Sequence, residues 1–314
     1  MNGGPLRLGT RRSPMAMAQS AQVAELLTAR TGSRVEMVGL TTFGDVSRAD
    51  LAQIGGTGVF VSGLRARLFG GEIDFAVHSL KDLPTGQEDG LLLAAVPARD
   101  DPRDALAARN GAKLADLPAG ARIGTGSPRR AAQILLMRPD LRPVPIRGNA
   151  GTRLGKIGSG EVDAVVLGYA GLARIGRLDV VTQVFEPEEM MPAPGQGALA
   201  VECLASRTDL ARLLGRVDDQ ASRAATEAER SLLAALQAGC TAPIGAYAAG
   251  TDALRLDAIV AAPDGGEALR ASMAGPAREA GRIGREVAAD LLRRGAARYT
   301  DVSAGHLTNG DDAT

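Results

Sequence analysis

The segment VHSLKDLP gathers a histidine, a hydroxyl, a lysine and a carboxylate at His78, Ser79, Lys81 and Asp82. They follow the apolar run IDFAV, so they emerge at the end of a predicted strand, where α/β proteins place their ligand-handling loops. An aspartate among many arginines stays ionised and can hold a positive charge that develops on a substrate. A second reading stays open, in which Lys81 and Asp82 solvate a loop and His78 is a hydrogen-bonded packing residue. Cys240 lies in a glycine-flanked loop between a predicted helix and a predicted strand. That setting suits a reactive thiol, but no histidine stands near it to lower its pKa, so an inert thiol also remains open. Cys203, inside the apolar run ALAVECLA, reads as a buried structural thiol. His78 and His306 are the two histidines, and without CxxC or HxxxH spacing no metal site is expected.

The elements that must position these groups show an internal duplication. RLGTRRSPMAMAQ (Arg7 to Gln19) is echoed by RIGTGSPRRAAQ (Arg122 to Gln133), and GEIDFAVHSLKDLP (Gly71 to Pro84) by GEVDAVVLGYAGLA (Gly160 to Ala173). Each first echo predicts a short strand running through Gly-Thr and Ser-Pro into a helix, and each second one a turn and then a buried strand leading to a loop. Two copies of one plan, in the same order, imply two related α/β lobes. Ser13 and Ser127 are placed to cap their helices, with Pro14 and Pro128 at the first helical position, where a missing amide costs nothing. The free amides of such termini attract anions, and Arg11, Arg12, Arg129 and Arg130 add guanidinium groups there. Further cations stand at Arg147 and Arg153 in RGNAGTRLGK and at Arg174 in GLARIG. VPARDDPRD (Val96 to Asp104) and MPAPGQGALAVEC (Met191 to Cys203) read as two crossings between the lobes, with a strand over Ala198 to Cys203. A chain that crosses out and back forms a double hinge, the plan of bilobal proteins that close over an anion. From Asp218 onward an amphipathic helix, a turn through Gly239, Cys240 and Pro243, strands around LRLDAIVAA and ALRASMAG, and a closing helix suggest a small α+β domain. The polar tail from Ser303 is expected to fray.

Composition narrows the function classes. Arg plus Lys and Asp plus Glu both total 36, so the formal charge is +0, which argues against a nucleic-acid binder whose surface must follow phosphates. All but three of those 36 cations (Lys81, Lys113 and Lys156) are arginines, whose planar forks suit carboxylates and phosphates. With 45% hydrophobic and 23% charged residues the chain can bury a large core, and 314 residues suggest more than one domain. No stretch approaches the roughly 18 apolar residues of a membrane span. The N-terminus shows no apolar run with a small-residue cleavage site, which predicts a cytoplasmic protein.

From Leu6 to the closing helix, the ordered blocks LGTRRSPMA, GGTGVF, VHSLKDLP, DDPRDA, IGTGSPRR, RGNAGTRL, APGQGALAVE and GCTAPIGAY resemble one family closely: porphobilinogen deaminase, or hydroxymethylbilane synthase. The resemblance implies two lobes like type II periplasmic binding proteins joined by a double hinge, plus a small α+β C-terminal domain. The corresponding division is 1–98 with 198–215 for the first lobe, 99–197 for the second and 216–314 for the third domain. It also implies a transferase that deaminates four porphobilinogen molecules and joins them head to tail into hydroxymethylbilane. The chain would grow on a dipyrromethane cofactor held by a thioether to Cys240, in a cytoplasmic monomer with no nucleic-acid or membrane partner. By the same resemblance Asp82 is the catalytic carboxylate. It stabilises the azafulvene cation left when ammonia departs, and it joins Lys81, Thr125, Ser127, Arg129, Arg130 and Gln196 around the cofactor. Arg11, Ser13, Arg147, Arg153 and Arg174 would bind the acetate and propionate groups of the substrate. The chain departs from the family pattern at Gln53 and Thr57, where many members carry lysines, and at Phe43, where arginine is common. Contacts of that covering loop are therefore not transferred. The competing reading is a non-enzymatic bilobal protein that binds or senses an organic anion, which leaves Cys240 and the third domain unexplained.

Overall fold

The structure, a computed structural model, describes residues 4–40, 58–238 and 242–300. Cys240, His306, Phe43, Gln53, Thr57 and the tail from Ser303 lie outside the described residues.

The first pair of echoes folds as its residues dictate. Strand β1 (Leu6–Arg11) runs into helix Pro14–Thr31, whose first turn is capped by Ser13 Oγ accepting the Ala16 N–H at 3.3 Å, with Pro14 at the start. The chain then forms β2 (Val35–Leu40), helix Gly58–Phe69, β3 (Phe75–Ser79) and β4 (Leu91–Ala95). Residues 96–103 cross to a second sheet, which contains β5 (Asp104–Ala108), β6 (Arg122–Gly124), β7 (Arg142–Val144), β8 (Ala164–Gly168) and β9 (Gln183–Phe185). There β6 leads into helix Pro128–Met137, and Ser127 Oγ accepts the Arg130 N–H at 3.4 Å. Residues 186–198 then return the chain to the first sheet as β10 (Leu199–Leu204), shifted one residue toward the C-terminus from the predicted strand.

The two sheets share one topology. The first is ordered β2-β1-β3-β10-β4 and the second β7-β6-β8-β5-β9. In each, four strands run in one direction, and the remaining one lies antiparallel between the central strand and an edge strand (β10 between β3 and β4, β5 between β8 and β9). That antiparallel strand is in each case the one the chain enters after a crossing. The central strands are buried from both sides, since Phe75, Ala76, Ala164, Val165 and Val166 have no exposed surface. Helices therefore cover both faces, as parallel strands require.

The third sheet, β11 (Ile244–Ala249), β12 (Ala253–Ala261) and β13 (Ala268–Pro276), is an antiparallel meander. Helices Gln220–Ala235 and Ala280–Arg293 pack on it around Leu232, Leu254, Leu256, Ile283, Val287 and Leu291. A Cβ on Gly284 would lie 2.3 Å from the Ala228 carbonyl oxygen, so these helices cross almost backbone to backbone. Strand β11 does not announce itself in the sequence. Its residues are small, and Ala246 N–H donates to the Pro192 carbonyl at 2.8 Å, so the second crossing covers it and the inside-outside alternation of a half-exposed strand is lost.

Glu229 joins the three regions. Fully buried, it accepts from Arg99 on the first crossing (2.6 and 3.1 Å), from the Gly195 N–H on the second (2.6 Å) and from the Ala248 N–H of β11 (2.9 Å). Every one of its carboxylate contacts is a donor, which is the arrangement a buried charge needs to be tolerated.

Candidate functional site

Strand β3 delivers Lys81 and Asp82 on a single 3-10 turn, Leu80–Asp82. The Leu80 N–H donates to the Ala198 carbonyl at 3.0 Å, which fastens the turn to the second crossing. Gly195 on that crossing has φ +75, and a Cβ there would come within 3.3 Å of the Lys81 backbone nitrogen. Glycine thus lets the crossing run directly beneath the turn.

From Lys81 a polar chain leads into the second lobe. Its Nζ donates to Gln196 Oε1 at 3.3 Å, and Gln196 Nε2 donates to Asp104 Oδ1 at 2.8 Å and to the Pro102 carbonyl at 2.7 Å. Asp104, without exposed surface at the head of β5, also accepts from Arg129 Nη1 (2.7 Å) and from Arg130 Nε and Nη2 (3.0 and 2.7 Å). Arg129 Nη1 reaches the Met191 carbonyl at 2.6 Å and Arg130 Nη1 the Val166 carbonyl at 3.1 Å. Arg129 and Arg130, read from the sequence as guanidinium groups added at an anion-attracting helix start, are 3% and 6% exposed and hydrogen-bonded to an internal carboxylate. Arg129 Nε is buried without a hydrogen-bond partner among the described residues.

Positive charge exceeds negative charge around this chain of groups. Burial, and next the Arg130 guanidinium, push the Lys81 ammonium down from 10.5 to about 8, against the pull of Asp82 and Asp104. Burial, and again Arg130, lower Arg153, whose Nε donates to the Gly148 carbonyl at 2.8 Å. For Asp104 burial is the largest influence and opposes ionisation, but the attraction and hydrogen bonds of Arg129 and Arg130 outweigh it and hold the carboxyl well below the usual range. The region is thus prepared for additional anionic groups.

The other predicted residues are distributed around it. Thr125 is buried and its Oγ1 accepts the Ser127 N–H at 3.2 Å, while Ser13 and Ser127 serve as caps. Arg11 ends β1 half-buried, and Arg147 is exposed on the loop after β7. Arg174 does not point to open space: its Nε donates to Asp100 Oδ2 at 2.8 Å and its Nη2 to the Gly197 carbonyl at 2.7 Å, one contact on each crossing. His78 settles as a packing residue, 6% exposed, with Nε2 3.3 Å from Glu202 Oε2 in a cluster that includes Arg65. Cys203 is fully buried, and burial pushes its thiol up to about 11. Sequence reasoning missed Asp104, Glu229, Arg99 and Asp100. For Asp104 a signal existed, because an aspartate heading the apolar strand DALAA must find partners if the strand is central.

Among the described residues no helix is long and apolar enough to cross a membrane. Two family descriptions match the chain: "Porphobilinogen deaminase, dipyromethane cofactor binding domain" over residues 6–212 and "Porphobilinogen deaminase, C-terminal domain" over residues 224–293. A porphobilinogen deaminase of Thermobifida fusca is 59% identical, over 97% of this chain and 99% of its own length. Porphobilinogen deaminase 1 of Streptomyces coelicolor is 54% identical, over 93% of this chain and 96% of its own. Among solved structures, the methionine binding protein MetQ aligns with a TM-score of 0.45 at 10% identity, over 69% of this chain and 90% of that one.

Proposed function

The chain belongs to the porphobilinogen deaminase family, and from that premise we propose that porphobilinogen is deaminated and polymerised where the Lys81–Asp82 turn faces the Gln196–Asp104–Arg130 chain of hydrogen bonds. The activity is hydroxymethylbilane synthesis, a transferase reaction that releases ammonia and depends on a dipyrromethane cofactor. Family membership sets aside the non-enzymatic anion binder.

The residues around Lys81 fit the cofactor, since burial and the neighbouring Arg130 guanidinium both lower Lys81 and Arg153, and carboxylates such as those a dipyrromethane carries would relieve that crowding of positive charge. Cys240 would hold it by the thioether, with Lys81, Thr125, Ser127, Arg129, Arg130 and Gln196 around it. When bound, the group supplies the pyrrole end onto which substrate units are joined. Asp82 accepts from pyrrole N–H groups and stabilises the positive charge that appears on the substrate as ammonia leaves. Lys81 is held beside Asp82 by Gln196, so it keeps a cation next to that carboxylate without neutralising it by a direct bridge. Arg11, Ser13, Arg147, Arg153 and Arg174 receive the substrate's acetate and propionate. Arg174 does so in competition with Asp100, whose carboxylate it would have to share or release. The lobes and third domain divide as 1–98 with 198–215, 99–197 and 216–314, each built on one of the three sheets. The balanced charge suits a cytoplasmic monomer that takes porphobilinogen and needs no nucleic-acid or membrane partner.

The observation that carries the assignment is the carboxylate-bearing turn at the end of β3, set against a cationic wall from the other lobe. Asp82→Ala should lower turnover of porphobilinogen by about 100-fold or more while the cofactor stays attached and Ehrlich-positive. Turnover near that of the unaltered protein would remove Asp82 from the chemistry.

A further inference from the structure

Arg230 reaches from the third domain into the first lobe and grips the segment that carries Asp82. It lies on helix Gln220–Ala235, next to the buried Glu229. Its Nη1 donates to the Leu83 carbonyl at 2.8 Å and the Leu80 carbonyl at 3.3 Å, and its Nη2 to the Pro84 carbonyl at 2.6 Å. These three carbonyls bracket Lys81 and Asp82. The Leu80 carbonyl also accepts the Leu83 N–H at 3.1 Å, so the guanidinium binds the same oxygen that closes the turn. A planar fork can satisfy several carbonyls from one fixed position, whereas an ammonium on a flexible stem acts as a single point.

The helix that carries Arg230 has two further properties. It is anchored through Glu229 to both crossings, and it ends at Ala235, five residues before Cys240 in the sequence. We infer that Arg230 is a positioning residue for the reaction: it fixes the Asp82 turn against the third-domain helix that Glu229 ties to both crossings, so that the carboxylate keeps one position relative to the wall of the other lobe. The inference rests on Asp82 being the catalytic carboxylate. Its mechanism is geometric, because reacting groups displaced by about 1 Å lose on the order of 100-fold in rate while binding is little affected.

The test compares Arg230→Met and Arg230→Lys, each in the holoenzyme, with and without Asp82→Glu. Arg230→Met should lower kcat by about 10- to 100-fold with KM changed less than about threefold and the cofactor retained, and Arg230→Lys should recover part of the loss. With Asp82→Glu, whose longer side chain has already moved the carboxylate, adding Arg230→Met should cost less than about threefold more. Equal losses in both backgrounds, a loss confined to KM or to cofactor content, or an unchanged kcat would overturn the inference. If Arg230→Met fails to fold, Arg230→Lys carries the same comparison. If Asp82→Glu alone turned over like the unaltered protein, the position of the carboxylate would not limit the rate and the inference would fall, while the role of the carboxylate itself is decided by Asp82→Ala.

Discussion

Replacing Asp104 with asparagine tests whether one buried carboxylate organises the cationic wall. Asp104 accepts four side-chain hydrogen bonds, from Arg129, twice from Arg130, and from Gln196. At about 1.5–3 kcal/mol for each charge-assisted bond, the ceiling is roughly 6–12 kcal/mol. Asparagine does not forfeit all of this, since its oxygen can still face Arg130 and Gln196, which meet at Oδ1. What it loses is the charge, and its amide N–H groups turn toward Arg129, which bonds Oδ2. Both guanidiniums have side-chain exposures of 7% or less, so the expected cost is that of breaking a buried pair, about 3–5 kcal/mol. Urea unfolding followed by circular dichroism at pH 7.5 should show this loss. The pH dependence follows from the lowered folded pKa of Asp104. Its stabilisation is fully present above the unfolded carboxylate value and is lost as pH falls through the lower folded one, so the gap between the two proteins should narrow only in strong acid. A destabilisation below about 1 kcal/mol at neutral pH would refute the reasoning.

Two other outcomes follow from the site. Because the Lys81 ammonium is pushed down to about 8, its charge is present below that pH and lost above it, and the rate at which apoprotein loads its cofactor should fall as pH rises through about 8. Lys81→Arg should flatten that fall by keeping the charge, and an unchanged inflection would assign the titration elsewhere. Cys203, buried and with its thiol raised to about 11, should resist a water-soluble alkylating reagent at pH 8 in the folded protein and react after unfolding; rapid labelling of the native state would contradict its place in the sheet.

The local parts of this architecture were legible because they depend on neighbours in sequence. Ser13 and Ser127 cap the helices that follow them by accepting N–H groups three residues on, and the apolar run before His78 becomes, with His78 and Ser79, the central strand β3. The duplication could be read because it repeats those local signals, and the shared strand order is its consequence. What escaped notice was pairing over distance. Glu229 meets Arg99 across 130 positions, and Asp104 meets Arg129 across 25. In a chain with so many arginines, no single one is marked by its type as buried rather than solvated. His78 shows the same limit, since its partner Glu202 comes from β10, a strand the chain reaches only after building the whole second lobe.

The central claim is that Cys240 permanently tethers a two-ring primer from which the tetrapyrrole grows. Intact-mass spectrometry of the purified protein tests it most directly. The account predicts a mass above that of the polypeptide by two pyrrole units, and the bare polypeptide mass for Cys240→Ser. An active, unaltered protein at the bare mass, or the same added mass surviving in Cys240→Ser, would contradict it.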